Sequence, residues 1–252
     1  MKDLFSANAE RYARHRPKYP PQLAALLADA APARALAVDC GCGSGQLSVL
    51  LAEHFGQVLA LDASAAQLAH ATAHPRVTYV VAAAEQVPLP PGSADLVVAA
   101  QAAHWFDLPR FWREVERVAR PGALVALASY GLLEIDPQID RLIHELHDTT
   151  LAAYWPPERW LVVNGYSAIE LPYTGVALPS PPDIDLHWSM NDLLEYLKTW
   201  SAVTVAERAT GRSPLPDFVP RLRRAWGDPE QTRAVRWPIV VRAGRVPPER
   251  AQ

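Results

Sequence analysis

At 252 residues, half of them hydrophobic, the chain is long enough to bury one sizeable α/β core. A formal net charge of −3 gives no global attraction to nucleic acid or to an anionic membrane, and no stretch reaches the ~18 uninterrupted apolar residues of a membrane span. Two cysteines one residue apart, Cys40 and Cys42, cannot build a disulfide framework, and without a second Cys/His cluster no metal is expected.

The opening residues Met1–Leu4 have no apolar run behind them, so a soluble, cytoplasmic chain without a secretory signal is expected. Locally dense arginines at Arg11, Arg14 and Arg16, and again at Arg221, Arg223 and Arg224, read as solvated helix faces. Between Cys40 and Val87 the sole proline is Pro75, whereas clusters such as Pro88–Pro91 and Pro179–Pro182 mark loops.

In chain order, Gln22–Ala30 has a helical pattern, and Ala35–Gly41 is a buried strand ending at a turn. Leu47, Leu50, Leu51 and Phe55 recur at helical spacing, with Gly56 as the stop. Val58–Asp62 is the second strand, and Ser64 caps a helix that Pro75 ends. Val77–Ala82 and Asp95–Ala100 are the third and fourth strands. Asp107 caps a helix buried on Phe111, Val115 and Val118. Arg120–Gly122 then turns into a fifth strand, Ala123–Ser129. Strands alternating with helices predict a parallel sheet covered on both faces, and the unbroken apolar runs agree.

Beyond Ser129 the pattern loosens. A helix is expected over Pro137–Ala153, then an aromatic loop over Tyr154–Trp160 and a weak strand at Ala168–Leu171. Ser189 and Asp192 form a capping-box pair for a helix carrying Leu193, Leu194, Leu197 and Trp200. A further helix spans Asp217–Trp226, and Trp237–Gly244 is the last strand.

The strongest local signal is the turn Asp39-Cys40-Gly41-Cys42-Gly43-Ser44-Gly45. Glycine permits positive φ and removes the Cβ that would keep a ligand off the backbone. Asp62 ends the next strand, about twenty residues on, where a carboxylate can accept from both hydroxyls of a ribose. A dinucleotide fingerprint spaced from Gly41 would place its third glycine at position 46, which is Gln46; here the third glycine is Gly45. Asp39 also disfavours a pyrophosphate and favours the ammonium group of a methionine moiety. The two differences point to S-adenosylmethionine (SAM) rather than NAD.

Val38–Gly45 resembles motif I of class I SAM-dependent methyltransferases, and Asp62 resembles their ribose-binding acid. Ala83–Phe106 and Glu114–Leu127 resemble the downstream motifs of the type-11 family. Phe5–Pro20, Ala103–Phe106 and Tyr196–Ser201 are similar to the trans-aconitate methyltransferase-like branch. This resemblance implies a Rossmann-like α/β fold with a mostly parallel seven-stranded sheet, helices on both faces and a small helical lid. It divides one domain into a cap (residues 1–32), a SAM-binding core (33–130), a lid and substrate region (131–235) and a returning strand (236–244). Ala83 departs from the family, which often has an acid there. Adenine recognition is then expected from the backbone at Ala84 and from the Glu85 carboxylate.

The expected cofactor contacts are therefore Asp39, Gly41, Gly43, Gly45, Asp62, Ala63, Ala84, Glu85, Gln101 and Ala102. His104, on the loop after the fourth strand, is a candidate base or hydrogen-bond donor; packing of that loop by His104 and Trp105 is the alternative. Tyr12, Arg16 and Tyr19 are expected to fold over the cofactor, and Arg16 can pair with a substrate carboxylate. Tyr154, Trp155, Trp160 and Trp200 are candidates for an apolar acceptor pocket, and Trp105 is placed with the substrate and lid residues. The expected activity is methyl transfer from SAM to a small-molecule acceptor at a carboxylate or hydroxyl oxygen, with S-adenosylhomocysteine (SAH) as product. A non-catalytic SAM-binding protein and an NAD(P)-dependent oxidoreductase are the competing expectations. No nucleic-acid partner is expected, because no basic groove interleaved with aromatics is evident.

Overall fold

The computed structural model describes residues 17–248. Five parallel strands form its centre: β1 (Leu36–Cys40), β2 (Gln57–Asp62), β3 (Val77–Val81), β4 (Ala94–Ala100) and β5 (Ala119–Tyr130). Four more follow: β6 (Thr174–Gly175), β7 (Ile184–Trp188), β8 (Arg233–Trp237) and β9 (Ile239–Arg245). The main sheet has seven strands in the order β3-β2-β1-β4-β5-β9-β6, with β9 antiparallel to both of its neighbours. Strand order reverses between β1 and β4, which opens a crevice at their carboxyl ends.

Burial on both faces explains the apolar runs. Along β4, Leu96 and Val98 enter one core while Val97 and Ala99 enter the other, following the two-residue period of a strand. The first core also takes α1 (Pro21–Ala30) through Leu23 and Leu27, and α2 (Gln46–Leu51) through Leu47 and Leu51. The second core takes α4 (Leu108–Val118), which presents Phe111, Val115 and Val118. Between them, α3 (Ala65–Leu68) is capped by the Ser64 hydroxyl, which accepts from the Gln67 N–H at 3.4 Å. Asp107 caps α4 in the same manner. No described helix is long and apolar enough to cross a membrane.

The second half departs from expectation in several places. The helix expected over Pro137–Ala153 is α only through α5 (Pro137–Glu145); it widens into a π turn at Leu146–Thr150 and tightens to 3-10 at Ala152–Tyr154. Ala168–Leu171 is not a strand: Ile169 is buried in a turn region after α6 (Arg159–Val163), and the sheet edge is the later β6. Ser189 and Asp192 do form a reciprocal capping box, on α7 (Met190–Lys198). Trp200 lies beyond that helix, as the N-cap of α8 (Ser201–Thr210), and α9 (Leu215–Trp226) completes the layer. Trp237–Gly244 is not one strand. Pro238 has no N–H to give a ladder, and there the chain leaves β8, paired with β7, to enter β9, paired with β5. β5 starts four residues earlier than expected, because Ala119 pairs with Ala94 before an irregularity absorbs the Arg120–Gly122 turn.

One buried carboxylate ties together the amino ends of the central strands. Asp95 is fully buried; its Oδ2 accepts the N–H groups of Ala35 and Leu36 at 2.8 and 3.0 Å, and its Oδ1 accepts Arg120 Nη1 at 2.9 Å. Removing it orphans two backbone donors and a guanidinium. Asp95→Ala is expected to lower unfolding free energy by about 3–5 kcal/mol, and Asp95→Asn by less. Urea titration checks this; a loss below about 1 kcal/mol for the alanine variant would contradict the assignment.

Candidate active site

The turn after β1 is shaped by where its amides must point. The N–H groups of Gly41 and Cys42 both donate to the Leu61 carbonyl, at 2.7 and 3.0 Å, so the turn hangs from the end of β2. Asp62 extends the same tie: its Oδ2 accepts Gly43 N–H at 2.9 Å and its Oδ1 accepts Ser64 N–H at 2.8 Å. Two glycines are fixed by space as well as by positive φ. A Cβ on Gly41 (φ 71°) would lie 2.5 Å from Ala102 Cβ, and one on Gly45 (φ 78°) would lie 2.8 Å from the Tyr79 ring.

Beside this turn opens a cleft of ≈ 1090 Å³, counted out to its mouth. Asp39, Gly41, Gly43, Asp62 and Ala63 line one part of it, and Ala84, Glu85, Gln101 and Ala102 another. Tyr19 and Trp105 also line it. These eleven sequence-predicted residues come together at the carboxyl edge of the sheet. Gly45 is not part of the wall; it lets α2 begin beneath Tyr79. Tyr12 and Arg16 lie outside the described residues.

Asp39 is the electrostatic centre of the cleft. It is buried, and its Oδ2 accepts the equally buried Ser48 hydroxyl at 2.6 Å. Burial pushes its pKa up to about 7; the Ser48 hydrogen bond opposes the rise and the charge of Asp62 adds to it. A carboxylate so poorly solvated is matched by a cationic ligand group. Cys42 also faces the cleft, but burial pushes its thiol far above the ordinary range, so it is not a nucleophile. Glu85 is partly committed: its Oε1 accepts the Asp107 N–H at 2.8 Å.

The description "Methyltransferase domain" matches residues 38–127 of this chain. A Dictyostelium discoideum protein with a provisional methyltransferase name is 34% identical over 233 residues, spanning 89% of this chain and 86% of that protein. The chain belongs to the methyltransferase family. A solved structure from Anaeromyxobacter dehalogenans, described provisionally as a type II methyltransferase, is 51% identical and superposes with a TM-score of 0.86, covering 93% of this chain and 99% of that one. A Mycobacterium tuberculosis protein, provisionally named as a SAM-dependent methyltransferase, is 34% identical over 118 residues, which are 46% of this chain and 43% of that protein. SAM dependence thus agrees with the glycine turn and Asp62.

Several predicted residues of this methyltransferase stand away from the cleft, Tyr154 and Trp160 among them. Trp200 is 1% exposed and belongs to the core, so it does not line an acceptor pocket. Trp155 packs between Trp200 and His147, and its Nε1 donates to the His147 carbonyl at 3.1 Å. His104 does not line the cleft; its Nδ1 lies 2.9 Å from the Tyr166 hydroxyl and its ring packs on Trp105. Burial, and secondarily the Arg159 charge, pushes its pKa down to about 3, which makes it a weak base.

Residues missed by the sequence reading include Ser48, Phe106 and Tyr130. Ser48 was detectable as the single hydroxyl on the buried face of α2, between Leu47 and Leu51. Tyr130 needed the strand order, since β5 lies beside β4 only in space.

Asp39 yields a stability prediction. Its folded pKa of about 7 exceeds the ordinary aspartate value of 3.8, so the native state holds the extra proton. Stability from this group is complete below the unfolded value and is lost as pH rises toward 7, by on the order of 4 kcal/mol. Asp39→Asn retains an acceptor for Ser48 without the charge. Its stability advantage is expected to grow between about pH 4 and pH 7 and then level off. Denaturant titrations across that range check it, and a gap independent of pH would refute the burial argument.

Proposed function

We propose that this methyltransferase moves the methyl group of SAM to an oxygen of a small-molecule acceptor. The supporting observation is the pair of carboxylates in one cleft: Asp39, buried and poorly solvated, and Asp62, at the end of β2. Asp39 suits the cationic methionine end, and Asp62 suits the paired hydroxyls of the ribose. Asp62 keeps acceptor capacity after receiving two backbone N–H groups, because an ionised carboxylate has about four lone-pair sites. Ala84 and the second oxygen of Glu85 are assigned to the adenine, and Gln101 and Ala102 to the methionine moiety.

When bound, SAM supplies an electrophilic methyl on a sulfonium. The chain's own contribution is proximity, alignment and exclusion of water. Tyr19, Trp105, Phe106 and Tyr130 give the cleft an aromatic wall, which lowers the local dielectric and keeps water from competing. His104 offers little basicity, so an acceptor that arrives ionised fits better than a hydroxyl that must lose a proton. A carboxylate acceptor is therefore favoured within the proposal, in line with the sequence likeness to the trans-aconitate methyltransferase-like branch. A cytoplasmic setting belongs to the proposal on sequence features alone.

Isothermal titration with SAH is expected to show one site per chain, and Asp62→Ala to weaken it at least about tenfold, or ~1.4 kcal/mol. Transfer of labelled methyl from SAM to a panel of small carboxylic acids tests the acceptor class. Absence of SAH binding by the intact protein would refute the cofactor site. Product from hydroxyl compounds, with none from carboxylic acids, would reverse the acceptor assignment.

A further inference from the structure

Buried polar side chains in this fold are mostly met by the protein itself: Asp39 by Ser48, and Asp95 by two backbone amides and Arg120. Gln67, on α3, differs. The residue is only 8% exposed, yet no hydrogen bond reaches its carboxamide among the described residues. Its two amide atoms are not sealed in, since each keeps some open surface, and the space Gln67 lines is the cleft. A desolvated carboxamide without partners is unfavourable in the empty protein and is complementary to a ligand that supplies them.

The position of this amide follows from the carboxylate at the end of β2. Asp62 Oδ1 accepts the Ser64 N–H at 2.8 Å, and the Ser64 hydroxyl and carbonyl in turn accept the Gln67 N–H at 3.4 and 3.1 Å. Asp62 Oδ2 accepts the Gly43 N–H at 2.9 Å. Gln67 Oε1 lies 3.8 Å from the point where a Cβ on Gly43 would stand. The carboxamide therefore lies across the part of the glycine turn that Asp62 braces. With Oε1 turned to Gly43, Nε2 is the end left for a ligand.

A ribose has a need that Asp62 alone does not meet. Each hydroxyl of the diol has one proton to give and lone pairs to be met. A carboxylate takes the protons and has none to return. The Gly43 and Ser64 amides beside it are already committed to Asp62. A carboxamide carries two N–H donors. We propose that Gln67 is a specificity-determining residue for the nucleoside end of the cofactor, its Nε2 donating to the ribose hydroxyl oxygen whose proton goes to Asp62. The inference rests on the SAM reading of the cleft and on the assignment of Asp62 to the ribose. That hydroxyl gives to one residue and accepts from the other, so each bond polarises the next. A deoxyribose leaves the Gln67 amide unmet in the complex, which discriminates against it more sharply than shape alone.

Calorimetric titration of the intact protein with SAH, 2′-deoxy-SAH and 3′-deoxy-SAH tests this. Gln67→Met keeps the reach of the side chain without the donor and is expected to weaken SAH binding about fivefold. With the analogue that lacks the paired hydroxyl, variant and wild type are expected to agree within about twofold; with the other analogue the fivefold gap persists. Gln67→Glu is equal in size and equally without an N–H donor. It is expected to show the same dependence on the hydroxyl, on top of a larger overall loss from a second carboxylate beside Asp62. A gap of equal size for all three ligands, as altered packing of the glycine turn would give, overturns the proposal. So does undiminished SAH binding by both variants. Wild-type protein that fails to bind SAH, or that binds all three ligands alike, would instead refute the cofactor or ribose assignment beneath it.

Discussion

The site depends on one carbonyl at the end of β2. Leu61 accepts both Gly41 and Cys42 N–H groups, and the next residue, Asp62, takes up Gly43 with its side chain. Successive amides of the turn are thereby directed at a neighbouring strand instead of at a following helical turn. The backbone must curl with positive φ at Gly41, Gly43 and Gly45 to achieve this. Everything assigned to the cofactor is arranged around that curl. Ala102 closes on Gly41 so tightly that a methyl there would collide, and Tyr79 does the same at Gly45. The carboxylate that braces the turn is also the one facing the cleft, so a single residue couples loop geometry to ligand chemistry.

That dependence explains why the first half of the molecule was legible in the sequence. Each parallel strand there is a short, unbroken apolar run because both faces are covered, and each turn carries its own local signal. Asp107 and Ser64 cap helices where their positions suggested. The glycine spacing and Asp62 are fixed by contacts within 24 residues of one another, a range over which sequence pattern and geometry coincide.

The second half was less legible for physical reasons. The π turn at Leu146–Thr150 keeps a helical pattern of apolar residues while changing its pitch, so periodicity alone reads it as one helix. Trp237–Gly244 is a continuous β-rich run, yet Pro238 splits it between two sheets, and the partner of β8 is the five-residue β7 some 45 residues earlier. Trp200 looked available for a ligand because its spacing fits α7. In the structure the helix has already ended, and the tryptophan turns into the core with Trp155 and Tyr196. A buried tryptophan and a ligand-facing one have the same local sequence signature.

The same contrast separates two parts of the site. The glycine turn is written into a backbone that few residue types can follow, and it lies within the residues 38–127 that match the methyltransferase family. The far side of the cleft depends on side chains that meet only in the fold: Gln101 on Tyr130 in the wall, and His104 on Tyr166 behind Trp105. Neither pair has a spacing that a motif could carry: the first is brought together by the pairing of β4 with β5, and the second by the turn after α6. Two of the participants, Gln101 at φ 56° and Tyr166 at φ 57°, hold strained backbone angles, a cost that sheet and helix formation does not require. Strain of that kind is retained where the position of a side chain matters more than the stability it sacrifices, and here both strained residues bear on one turn at the rim of the cleft.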